Sequence, residues 1–243
     1  MPRFRTALLV EYRKLSRSLA AVLVVVAPAL VAAFLFCNLL RVGRAQPWDM
    51  WMMKAAAIWA FFMLPMSVTA LTLLVAQVEH GPRTWSHLYA LPVPRWHYGA
   101  AKIAWICAAV ALMTGAAAVG SWLALHAAVA LKPSAAPPQA LHVARIAMLF
   151  ASIYASSLLL IAVQLWLALR WHSFVPALAV GIGGTFFAVV ASGAKIGMVL
   201  PWQIPVNMLA APPRAHASLL LGSVGGLLVL AWLLIRFSRR EVQ

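Results

Sequence analysis

The sequence predicts an all-α integral membrane protein. It should have six transmembrane helices, an N-terminal helix lying in the membrane interface, and a short surface helix between spans 2 and 3. Three observations lead to this reading. Of 243 residues, 65% are hydrophobic and only 9% are charged, with a mean hydropathy of +0.92; a soluble domain is about a quarter charged. Several apolar runs reach the ~20 residues needed to cross the hydrocarbon core of a bilayer. Basic residues, tryptophans and prolines collect in the breaks between those runs, where anchors and topology determinants belong.

Taken in order, residues 1–18 carry Arg3, Arg5, Arg13, Lys14 and Arg17 among Phe4, Leu8, Leu9 and Tyr12, the pattern of a basic amphipathic helix held at a membrane surface. Span 1 covers about 19–40 and contains Pro28, which predicts a kink. Its apolar run is longer than the core of a cleavable signal peptide and no Ala-x-Ala site follows it, so it should remain as a span. The loop from Arg41 to Lys54 places Trp48 and Trp51 as interfacial anchors. Span 2, about 55–78, holds Pro65 beside Ser67, Thr69 and Thr72, whose hydroxyls could satisfy backbone groups that the proline frees.

Span 3, about 100–125, has Ala111 with Gly115 and Ala116 with Gly120, pairs that allow close helix contact. After the proline-rich loop Lys132 to Gln139, span 4 takes about 146–169. It returns through Arg170 to Ser173 into span 5, about 174–191, with Gly181, Gly183 and Gly184. Residues 192–217 are less apolar and carry four prolines around Trp202; short helices dipping partly into the bilayer are expected, with Trp202 as another anchor. Span 6, about 218–235, contains the GxxxG pair Gly222 and Gly226. No repeat and no second soluble domain is evident, so 1–243 reads as one transmembrane unit.

The formal charge of +15 does not indicate nucleic acid. The basic residues are scattered singly between spans and at the termini, where they meet lipid headgroups and fix orientation. Twelve of them fall on the side of the two termini and seven on the other, which predicts both termini in the cytoplasm of a bacterial inner membrane. Cys37 and Cys107 lie in apolar segments and read as packing residues. There is no phosphate-cradling Gly-rich loop, no His-Glu-x-x-His and no Cys-x-x-Cys, so no cofactor or metal is expected. The four acids are Glu11, Asp49, Glu79 and Glu241. No acid, lysine or arginine falls in mid-span, whereas ion-coupled carriers usually need one there. Any transport is therefore powered from elsewhere.

The break between spans 2 and 3 is the most informative stretch. Glu79 ends span 2, where the helix dipole disfavours a carboxylate; His80 follows, and Arg83, Thr84, Trp85, His87, Leu88 and Tyr89 lie between prolines 82 and 92. Thr84 to Leu91 has room for about two helical turns, with Trp85, Leu88 and Tyr89 on one face. His80, His87 and His97 lack the spacing of a metal site.

Glu79-His80, Arg83-Thr84-Trp85, Leu88, Leu91-Pro92-Val93, Arg95 and Lys102 resemble the loop between the second and third spans of ABC-2 type permeases. The nearest subgroup is the small permeases of lantibiotic-immunity and bacitracin-type exporters. The resemblance implies an ABC-2/type V exporter-like fold in which the short helix is a cytoplasmic coupling helix. The residues from Glu79 to Tyr89 named above would then contact a separate ATP-binding cassette ATPase subunit. It further implies a homodimer, or a heterodimer with a sister permease, formed through spans 1 and 5. The chain itself would be no enzyme. Its mostly apolar spans suit a hydrophobic or amphipathic cargo, such as an antimicrobial peptide or a lipid-like compound. Two other readings stay open: a stand-alone membrane enzyme acting on lipid-like substrates, and a non-transporting scaffold or sensor that docks a partner through the same loop.

Overall fold

Periods of apolar sequence too long for any soluble core become helices because a bilayer offers the backbone no other hydrogen-bond partner. The computed structural model describes residues 2–16, 18–41, 45–80, 95–171 and 173–239. Within these, six helical segments are long and apolar enough to span a membrane, and no strand occurs among the described residues. Helix α1 is Pro2–Ser16, and span 1 is α2, Leu19–Arg41. Span 2 joins α3 (Trp48–Ile58) and α4 (Leu64–His80), and span 3 is α5 (Arg95–Leu131). Span 4 joins α6 (Val143–Ser156) and α7 (Leu158–Arg170), and span 5 is α8 (Phe174–Val190). Span 6 joins α9 (Pro212–Leu220) and α10 (Gly226–Arg239).

Spans 1 and 3 share the most extensive helix contact, and span 2 packs on spans 4 and 5. Fully buried Leu35, Trp59, Leu64, Ile106, Met113 and Leu160 fill the centre. At 37 residues, α5 is about 55 Å long, well beyond the ~30 Å of hydrocarbon. Its ends therefore project from the bilayer.

Helix α2 stays helical through Pro28, which is buried. Several expected details differ. Span 2 starts at Trp48, seven residues ahead of the expected 55, and this turns Trp51 inward (1% exposed) beside Met52 and Ala55 rather than into the interface. The α3–α4 junction is a π turn, Trp59–Met63. It widens the helix immediately before Pro65, whose ring would otherwise meet the preceding turn. Thr72 Oγ1 donates to the carbonyls of Val68 and Thr69 (2.8 and 3.0 Å), beyond the proline, so it does not serve the carbonyl that the proline leaves free.

The glycines of span 6 find their partner inside the chain. A Cβ on Gly222 would strike the carbonyl of Ser156, and one on Gly226 would strike the backbone of Leu158 and Leu159. Span 6 thus lies directly on the α6–α7 break, where Ser156 and Ser157 donate their hydroxyls to Ile153 and Tyr154 carbonyls (3.0 and 2.7 Å). Gly115 meets nothing within 4 Å and Gly120 meets only Ala32 at 3.7 Å, so the small-residue face of span 3 is only partly used.

Residues 191–211 form short 3-10 turns, Ala191–Gly193, Lys195–Met198 and Val206–Leu209, between spans 5 and 6. Trp202 is 7% exposed and lies against Gly184, so it is a packing residue and not an interfacial anchor. Arg214 ties the segment down: its Nε donates to Asn207 Oδ1 (2.9 Å), and Asn207 Nδ2 donates to Gly197 O (3.0 Å) and Ser218 Oγ (2.9 Å).

Candidate coupling site

Helix α4 ends at His80 and α5 begins at Arg95, so the stretch singled out in the sequence connects these two helix ends. Glu79 and His80 occupy the last two helical positions of α4, at the negative end of its dipole. Arg83, Thr84, Trp85, His87, Leu88 and Tyr89 lie outside the described residues.

What the structure adds beside this loop is a polar latch between α1 and α5. Glu11 is only 4% exposed and Lys102 only 3%. Lys14 Nζ reaches Glu11 Oε1 at 3.1 Å, and Lys102 Nζ lies 3.7 Å from Oε2. One turn further along α5, Trp105 Nε1 donates to the Leu8 carbonyl at 2.8 Å, and Tyr12 stacks on the Trp105 ring with centroids 5.2 Å apart. A buried carboxylate held by two ammonium groups and flanked by a stacked pair fixes α1 against the helix that leaves the loop. Buried ions are kept only where they are paired.

Sequence reasoning counted Glu11 only as a charge and read Lys102 only as part of the loop motif, with no link between them. The signal that could have found them is local: Lys102, Trp105 and Ile106 share one face of a helix, and Glu11 is the one acid in an otherwise basic α1.

A second ionic cluster lies on the opposite face. His142 donates its backbone N–H to Asp49 Oδ1 (3.0 Å), its ring Nδ1 lies 2.7 Å from Oδ2, and Arg145 Nη1 is 3.9 Å away. Lys132 Nζ donates to the Leu40 carbonyl at 3.0 Å, capping the end of span 1. Together these tie spans 1 to 4 on that side. Between the two faces the interior is apolar, with a few buried polar groups that carry no charge. Gln164 Nε2 donates to Ala177 O at 2.8 Å, and both Gln164 and Thr69 press on Gly181. No group of His, Cys, Asp and Glu able to hold a metal occurs among the described residues.

The arrangement is thus mechanical. It consists of two ionic latches at opposite ends of an apolar bundle. A family model described as "ABC-2 family transporter protein" matches residues 7–192, which takes in most of α1, the stretch between α4 and α5, and spans 1 to 5. No match was found among curated proteins or among solved structures.

Proposed function

The chain belongs to the ABC-2 family of transporter proteins, and from that premise we propose that it is the permease subunit of an exporter driven by a separate ATP-binding cassette ATPase. The family match over residues 7–192 carries this reading. It is supported by the sequence, which lacks a phosphate-cradling loop and mid-span charges that could couple ions. In this reading the face bearing α1 and the loop is cytoplasmic, as the basic residues suggest. Glu79, His80, Arg83, Thr84, Trp85, His87, Leu88 and Tyr89 form the coupling surface for the ATPase.

Two permease copies, or one copy and a sister permease, would associate through spans 1 and 5. Their exposed apolar side chains, among them Val25, Phe34, Phe186 and Val190, leave room for such a contact. The cargo is hydrophobic or amphipathic, in keeping with an interior lined by apolar groups and uncharged amides and hydroxyls. Export of, or immunity to, an antimicrobial peptide fits the subgroup that the loop resembles.

The test is purification of the permease with its native membrane partners. Co-elution of an ATPase whose hydrolysis is altered by permease mutations supports the proposal. Turnover of a lipid without ATP would instead favour a membrane enzyme.

A further inference from the structure

Under α1, spans 1 and 3 leave an apolar slot of about 310 Å³. Alanines open it, Ala20 and Ala21 on span 1 and Ala108 and Ala109 on span 3, and Val24, Leu71 and Leu112 complete its apolar lining. Along α5 the slot runs from Trp105 to Leu112, two helical turns or about 10 Å parallel to the span. Ala108 and Leu112 are exposed, so the slot opens sideways to the bilayer. At its upper end Tyr12, stacked on Trp105, forms a rim.

The rim is cationic. Arg13 is exposed on the turn between Tyr12 and Ser16, both of which line the slot. The one acid of α1, Glu11, is already engaged by Lys14 and Lys102. An apolar slot aligned with the span, open to lipid and flanked by the exposed Arg13 of α1 has room for the upper part of an acyl chain but not for a helix about 10 Å wide. Its electrostatics suit a phosphodiester, which arginine can grip through two parallel hydrogen bonds.

We propose that this slot holds one acyl chain of an anionic phospholipid, with its phosphate held at the rim by Arg13. The lipid bridges α1 to spans 1 and 3, so the seating of α1 beside the loop depends on the anionic lipid of that leaflet.

The probe is a mixed micelle with equal amounts of dioleoylphosphatidylglycerol and dioleoylphosphatidylcholine, equilibrated with the full-length protein. Native mass spectrometry then counts the lipid retained as collisional activation is raised. The wild type should keep one phosphatidylglycerol per protomer, preferred about tenfold over phosphatidylcholine, equivalent to ~1.4 kcal/mol. Ala109→Phe fills the slot from one wall and Ala21→Leu from the other; each should lower retention about tenfold while the protein stays monodisperse. Arg13→Gln should abolish the preference for phosphatidylglycerol.

The wild-type competition needs no variant, and equal retention of the two lipids would overturn the proposal. Unchanged retention in both slot-filling variants would do the same. So would a disulfide between Ala109→Cys side chains of two copies, which would make a second copy the occupant.

Discussion

Glu11 and Lys102 show how far one pair can decide the placement of an element. α1 is amphipathic and basic, so lipid headgroups alone would let it float in the interface. The buried pair gives it one position instead. Breaking a buried ion pair by removing one partner costs about 3 kcal/mol or more, whereas replacing both by apolar groups can be nearly neutral. Glu11→Gln should therefore lower the thermal midpoint of the purified protein, and Glu11→Leu with Lys102→Met should recover much of the loss. A double-mutant cycle showing no coupling between the two positions would mean that α1 is held by Trp105 and Tyr12 alone. The sequence offered only local hints of each residue and nothing that paired them. All of α2, α3 and α4 stand between them in the chain, and only folding brings the two together. The tryptophans carry the same lesson. Trp96 is exposed, as an anchor should be, but Trp51 and Trp202 are buried because one sits inside a longer helix and the other lies on a glycine.

At the scale of elements, the six spans could be read directly, because a run of about 20 apolar residues has one physical solution in a bilayer. The ends were harder. Span 2 begins early because Trp48 and Asp49 tolerate the interface, and hydropathy alone does not register that. The GxxxG pair was legible as a packing signal, but its partner was not. The structure supplies it in the backbone break between α6 and α7.

Gly222→Ala should thus destabilise the fold by about 2 kcal/mol through overpacking against the Ser156 carbonyl. Gly115→Ala, with open space around it, should be neutral or stabilising by up to about 1 kcal/mol through helix propensity. Thermal unfolding of both in the same detergent checks the contrast. In residues 191–211, Arg214→Ala removes a charged donor from buried Asn207, a loss of about 2 kcal/mol. Limited proteolysis in nanodiscs should then cut that segment faster than in wild type, and an unchanged rate would mean that Trp202 alone secures it.

For the molecule as a whole, the two latches stand at opposite ends of an apolar bundle, and α4 and α5 are the helices that flank residues 81–94 in the chain. Under the proposed function, a push on that stretch would reach span 2 through α4, and span 3 and α1 through α5. The orientation can be checked on intact cells with a membrane-impermeant thiol reagent: a cysteine at Ser134 should label and one at Ser86 should not. The sequence alone showed this loop because its polarity breaks two apolar runs.

The central claim, that the loop couples ATP hydrolysis to transport, is tested most directly by Glu79→Gln and Trp85→Ala in the complete complex, at equal permease abundance. ATPase co-purification and cargo export are measured side by side. Glu79→Gln should keep the complex assembled and hydrolysing ATP while export falls at least about tenfold. Trp85→Ala should lose much of the ATPase from the complex, as removing an aromatic anchor worth about 2 kcal/mol would do. If both variants assemble and export like wild type, the loop is an ordinary connection and the account is wrong.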